Sequence, residues 1–205
     1  HCREYLKSRN LSTDTISKFK LGYSFNSKST LYEYLKTKSF NEEEIIKSNV
    51  IKIDKNNKIK DYFYKRLIFP IMDEKGNVAG FGGRALDNFN PKYINSPESY
   101  FFHKRSLLYN LSNAKYVARK KNNLLICEGY MDVISLYQNG LQSVVAPLGT
   151  ALTKEQLDLA WKYSTKPTIM FDGDKAGLHA SYKSALMALH LITSKRFLQF
   201  IILDE

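Results

Sequence analysis

The chain has 205 residues, 43% of them hydrophobic, and a formal net charge of +11. That composition suits one large or two small packed domains and excludes a disordered chain, and no apolar run approaches the roughly 20 residues that span a bilayer, so no membrane partner is expected. Residues 1–121 hold 24 Lys and Arg against 12 Asp and Glu, whereas residues 122–205 hold 7 against 8, which predicts a polyanion for the first part, although a Lys-rich solvated surface has the same composition.

The first residues, HCREYLKSRN, carry neither an apolar signal core nor an initiator Met and read as a piece cut from a longer protein. Residues 3–48 read as short helices. Ser12–Gly22 opens on capping candidates and stops at a glycine, and NEEEIIKSN loads acids into its first turn. NVIKIDKNNKIKDYFY alternates apolar and polar around DKNNK, which predicts a hairpin. Leu67–Met72 and Val78–Gly82 follow as strands joined by DEKG, with Pro70 confining the first to an edge or a bulge. Asp87–Lys104 has no steady period and predicts a loop, and NLSNAKYVARKKN predicts a helix.

From Asn122 the pattern changes. The apolar runs LLIC, SVVAP, PTIMF and RFLQFIIL alternate with helical MDVISLYQNG, TKEQLDLAWKY and HASYKSALMALHLI. Strand and helix at this spacing predict a parallel sheet with helices on both faces. The expected class is α/β: a mixed α+β basic subdomain at 1–121, then a parallel-sheet domain at 122–205. The two cysteines, Cys2 and Cys127, lie in no CxxC or Cys/His cluster, so neither a zinc site nor a disulfide is expected.

In an open parallel sheet, ligands bind beyond the carboxyl ends of the strands. Glu128 directly follows LLIC, and Asp172 and Asp174 directly follow PTIMF. If those strands are neighbours, three carboxylates meet at one rim, with Gly129 and Gly173 leaving the backbone open beside them. Carboxylates so close repel one another unless a cation sits among them, and hard oxygens suit Mg²⁺ held by a few carboxylates plus substrate phosphates. Asp132, one helical turn past Glu128, is either a water-mediated ligand or the cap of its own helix. Taken alone, DGD also reads as a turn with an N-cap and EG as a strand terminator. In the basic half, FGGRAL puts Arg84 after two glycines that permit close approach of a backbone. PKYINSPESYFFHK offers Lys92, Asn95, Ser96, His103 and Lys104, interleaved with Tyr93, Tyr100, Phe101 and Phe102. Cations and amides contact phosphates and aromatics stack bases, or the aromatics tether a long loop to the core. His179 and His190 read as surface or packing residues of a helix.

CEGYMDVISL, LGTALT and FDGDKAG, in that order, resemble the TOPRIM domain of bacterial DnaG-type primases. RLIFPIMDEKGNVAGFGGRAL and PKYINSPESYFFHK resemble the amino-terminal half of the same RNA-polymerase core, so the resemblance spans nearly the whole chain. It implies that Glu128, Asp172 and Asp174 are catalytic acids for two or more Mg²⁺ or Mn²⁺ ions, and that Arg9, Arg66, Arg84, Lys92, Asn95 and Lys104 meet template or nucleotide. It implies synthesis of short RNA primers from ribonucleoside triphosphates on single-stranded DNA, in the bacterial cytoplasm at the replication machinery. A replicative helicase would be met through a carboxy-terminal module absent from this sequence, as is the zinc module. TOPRIM nuclease or topoisomerase chemistry and a non-catalytic DNA-binding piece remain the alternatives. Tyr62 and Tyr64 stand where arginines are expected. The chain stops at FIILDE, before the family's further acidic motif, which Asp204 does not replace, and little or no primer synthesis is expected of this length alone.

Overall fold

The structure is a computed structural model describing residues 1–25, 31–87, 90–149 and 151–203. Asp204, and Thr150 of LGTALT, lie outside the described residues. Contacts divide the chain into two units, His1–Pro70 with Gly80–Phe102, and Ile71–Ala79 with His103–Glu205.

The first unit opens with α1 (Cys2–Ser8) and α2 (Thr13–Lys18). Ser12 caps α2 by accepting the Thr15 N–H at 3.1 Å. The helix ends at Phe19 because Lys20 turns left-handed at φ 50°, and Gly22 begins a strand, β1 (Gly22–Ser24), instead of ending the helix. α3 (Leu31–Thr37) and α4 (Glu42–Lys47) follow, the latter held by a reciprocal capping box between Asn41 and Glu44. β2 (Ile51–Ile53) and β3 (Ile59–Asp61) form the expected antiparallel hairpin.

β4 (Arg66–Met72), β5 (Val78–Ala85) and β6 (Tyr93–Asn95) complete a sheet ordered β1-β4-β5-β6. β4 is therefore interior, not an edge as Pro70 suggested. The conflict resolves in the register: β1 opposes only Arg66 to Ile68, so Pro70 stands beyond that pairing and its missing N–H breaks no bond to β1. Asp87–Lys104 is not loop throughout either. β6 opposes Gly82, Gly83 and Arg84 of β5, a pairing three residues long and too short to show a period.

The second unit is a five-stranded sheet ordered β11-β10-β8-β9-β7. It comprises β7 (Leu108–Tyr109), α5 (Leu111–Lys121), β8 (Leu125–Ile126), α6 (Tyr130–Gln138), β9 (Val144–Pro147), α7 (Lys154–Trp161), β10 (Thr168–Phe171), α8 (Lys175–Leu189) and β11 (Gln199–Ile202). Four strands are parallel, as the apolar runs predict, and β7 adds an antiparallel edge. β9 is buried at all four positions because layers cover both faces. The chain steps from β8 to β9 in one direction, then back past β8 to β10 and on to β11. Right-handed crossovers put α6 on one face and α7 and α8 on the other. Leu111, Ala114 and Ala118 of α5 join Leu157, Ala160 and Trp161 of α7 in one core cluster. α5, placed with the basic half by charge, thus packs in this unit.

Candidate functional site

β8 and β10 are parallel neighbours, with Leu125 opposite Thr168 and Ile126 opposite Ile169. Their connections leave in opposite directions, which makes their carboxyl ends the switch point where an open sheet forms a crevice. Glu128 and Asp172 stand there. Glu128 Oε1 accepts the Asp172 backbone N–H at 3.1 Å, tying the two strand ends together. Gly177, in the first turn of α8, was missed as a site residue. A Cβ there would stand 2.1 Å from the Asp172 carbonyl oxygen and 2.6 Å from Glu128 Oε1, so only glycine lets the helix pass this close. Its signal in the sequence is a glycine inside a helix, where it costs about 1 kcal/mol against alanine.

The other two acids are turned to their own helices. Asp174 Oδ1 accepts the Gly177 N–H at 2.7 Å and caps α8. Asp132 Oδ2 accepts the Gly129 N–H at 2.9 Å and so caps its own helix. Gly129 has extended backbone that any residue adopts. Among the described residues no three His, Cys, Asp or Glu side chains gather into a group that would hold a metal. The expected rim exists by position, while Asp174 and Asp132 serve as caps.

Glu128 titrates above the ordinary carboxylate range. Burial is the main cause, the Asp172 N–H opposes it, and repulsion from Asp172, Asp174 and Asp132 adds to it. Asp172 and Asp174 are exposed. Hard oxygens at a crowded negative rim fit a Mg²⁺ that keeps several waters and takes one or two carboxylates plus phosphate oxygens, not an all-protein cage. Cys127 is no ligand, since burial pushes its thiol well up.

In the first unit, the Arg84 guanidinium lies 4.7 Å from the Tyr5 ring centre and 5.3 Å from that of Tyr93, and donates to the Tyr93 hydroxyl at 2.7 Å. Arg9 also lies over Tyr5, at 5.4 Å. One ring thus carries two of the expected cations, and Tyr5 was not singled out, because its meeting with Arg84 is long-range. The Tyr5 hydroxyl and Arg84 Nε are buried with no hydrogen-bond partner among the described residues. Lys92 is exposed, and the Asn95 carbonyl accepts the Tyr62 hydroxyl at 3.2 Å.

Arg66 departs from expectation. It is 2% exposed and donates to the carbonyls of Gly83 at 3.4 Å and Lys92 at 3.3 Å. Burial lowers its pKa, and its guanidinium braces β5 and the segment entering β6. Gly83 serves that packing and not the approach of a ligand, since a Cβ would stand 2.6 Å from Phe63 Cδ1 and 3.1 Å from Arg66 Cδ. Of the loop aromatics, Phe102 is buried while Tyr100 and Phe101 are exposed. In the second unit, exposed Lys104 heads a short 3-10 helix, Lys104–Ser106, whose first carbonyl accepts Gln156 Nε2 at 2.9 Å. His103, His179 and His190 are exposed.

Residues 1–115 match the family of the DNA primase catalytic core, N-terminal domain, and residues 125–200 match the Toprim-like family. A DNA primase of Clostridium acetobutylicum is 43% identical over 185 residues, covering 88% of this chain and 30% of that protein. The solved catalytic core of E. coli primase is 37% identical with a TM-score of 0.88, covering all of this chain and 65% of that one. A DnaG primase catalytic domain bound to ssDNA is 36% identical with a TM-score of 0.85, covering all of this chain and 66% of that one. The chain thus spans about a third of the curated relatives it matches. The Toprim match implies use of a divalent metal. Among the described residues no helix is long and apolar enough to cross a membrane.

Proposed function

The chain belongs to the DNA primase catalytic core family, and on that premise we propose that it is part of an enzyme that joins ribonucleotides into short RNA primers on single-stranded DNA, a nucleotidyl transfer of the DNA-directed RNA polymerase type. The observation that carries the reading is the bond from the Asp172 N–H to the Glu128 carboxylate at the switch point, where burial first and the nearby acids second raise the Glu128 pKa. Glu128 and Asp172 would hold one Mg²⁺ or Mn²⁺, and Asp172 with Asp174 a second. Such cations supply Lewis acidity toward the attacking hydroxyl and the phosphate oxygens.

The chain's own groups bind and orient. The first turns of α6 and α8 open at this rim, and helix N-termini favour phosphate. Arg9, Arg84, Lys92, Asn95 and Lys104 meet template or nucleotide, with affinity that falls steeply with salt. The first unit is the basic subdomain of this reading and the second, which takes in α5, its TOPRIM domain. Ribonucleoside triphosphates and a replicative helicase are the further partners proposed for the whole protein, in the bacterial cytoplasm.

The test is Asp172→Asn. Calorimetric titration of this chain with Mn²⁺ should lose its heat of binding, and the full-length enzyme should lose primer synthesis while melting at the wild-type temperature. Synthesis intact in Asp172→Asn overturns the assignment.

A further inference from the structure

In the antiparallel pair β5–β6, Arg84 opposes Tyr93 and Gly83 opposes Ile94. Side chains alternate along a strand, so the two pairs point to opposite faces of the sheet. Arg84 with Tyr5 and Tyr93 occupies one face. On the other, Ile94 and Arg66 line a pocket of about 620 Å³, within the usual range for a small-molecule site.

Two features of that pocket suit a ligand, beside the contacts of Phe25 edge-on to Tyr23 at 5.2 Å and of Lys65 over Tyr64 at 5.8 Å. Phe25, Tyr62 and Tyr64 line it, and Phe25 and Tyr64 keep 72% and 41% of their surface exposed. Tyr62 is held in place by its hydroxyl bond to the Asn95 carbonyl and by an edge contact with Phe63 at 5.0 Å. The second feature is charge. Lys52 and Lys60 both line the pocket and stand directly opposite each other in the β2–β3 hairpin. Like charges directly opposite in a hairpin destabilise it unless an anion lies nearby. Asp54 answers Lys60 at 2.8 Å. Asp61, the one carboxylate lining the pocket among the described residues, accepts the Leu31 N–H at 2.9 Å, and burial raises its pKa.

We infer that this pocket binds a nucleobase together with its attached phosphate, the base stacked on Tyr62 and Tyr64 with Phe25 at its edge, and the phosphate met by Lys52 and Lys60. Flat aromatic walls beside paired cations suit a nucleotide, whether an unstacked residue of a single strand or a free nucleotide. The inference rests on the nucleic-acid reading above, yet it uses side chains on the face opposite Arg84, so the two are separable.

The experiment uses the full chain, a fluorescent (dT)12 carrying one 5-iodouracil, and GTP as the free-nucleotide probe. Tyr64→Ala should weaken (dT)12 on the order of tenfold, Tyr64→Phe should bind like wild type, and Lys52→Glu should reduce the salt slope by about one phosphate. The photo-crosslink should map to Tyr62 or Tyr64. Competition by GTP at the crosslinked tyrosine assigns the pocket to free nucleotide, and indifference to GTP assigns it to the strand. Wild type binding (dT)12 with Tyr64→Ala unchanged and the crosslink elsewhere overturns this inference alone. No binding of either probe to wild type overturns it together with the nucleic-acid reading.

Discussion

Gly177→Ala is the sharpest probe of the acidic rim. In an ordinary helix the change stabilises by about 1 kcal/mol. Here the new Cβ would stand 2.1 Å from the Asp172 carbonyl oxygen and 2.6 Å from Glu128 Oε1. The first is backbone at the end of β10 and cannot rotate away, so either the strand end or the first turn of α8 must move. Overpacking at the upper end of its usual cost, about 3 kcal/mol, exceeds the helical gain and leaves a net loss of about 2 kcal/mol. For a chain of this size that lowers the melting temperature by roughly 4–8 °C. The displaced Glu128 should also weaken Mn²⁺ binding, read by calorimetric titration of the same sample. Gly129→Ala is the control, because its Cβ meets only Asp132 Oδ2, at 3.3 Å, and its backbone is extended. A Gly177→Ala protein that melts at or above the wild-type temperature with unchanged Mn²⁺ affinity would refute the packing argument.

Three further outcomes follow from buried or crowded polar groups. Glu128 titrates higher in the folded state than in the unfolded chain. Its protonated form therefore contributes stability that is complete at low pH and lost as pH rises through the raised pKa. Glu128→Gln keeps an acceptor for the Asp172 N–H and removes the repulsion, so without metal it should melt above wild type once pH rises past the ordinary Glu range, and converge with it at lower pH. Arg66→Ala removes a donor from the Gly83 and Lys92 carbonyls, the latter keeping the Ala85 N–H, and opens a cavity. Urea denaturation should show a loss of about 2–4 kcal/mol, and a loss under about 1 would remove Arg66's bracing role. Burial and then the Glu74 carboxylate, which accepts the Tyr163 hydroxyl, hold that phenol up to about 12. Glu74→Gln should bring the titration down, read as 295-nm absorbance against Tyr163→Phe.

The apolar runs from Asn122 are legible because buried parallel strands need apolar side chains on both faces, and the acids that end them fall where such a sheet exposes its site. Whether Glu128 and Asp172 meet depends on strand order, which residue spacing does not encode, since β8 lies between β9 and β10 and the chain must cross back past it to set β10 at its other side. The bracing role of Arg66 is hidden for a related reason, since the Gly83 and Lys92 carbonyls it meets lie 17 and 26 residues away. The stack of Arg84 on Tyr5 joins residues 79 positions apart, and no local pattern announces it. Pro70 misled because the rule that excludes it from interior strands concerns the local pairing, which β1 abandons after Ile68.

The division of labour among the acids has one more consequence. Asp132 answers the N-cap N–H of α6 and Asp174 the Gly177 N–H in the first turn of α8, while the Glu128 carboxylate accepts the Asp172 backbone N–H at the strand ends. A nucleoside triphosphate approaching that rim meets carboxylates of its own sign. At about 5 Å and an effective dielectric of about 20, each such pair costs roughly 3 kcal/mol. The helix N-termini offset only part of this, about 0.3–1 kcal/mol each. The rim therefore accepts phosphate only with a cation between, and the two ligands must help each other to bind. Thermodynamic linkage makes the help reciprocal. The factor by which Mn²⁺ tightens GTP in this chain should equal the factor by which GTP tightens Mn²⁺, and Asp172→Asn should bring both toward one. GTP bound equally well in EDTA would place its phosphates somewhere other than the ends of β8 and β10.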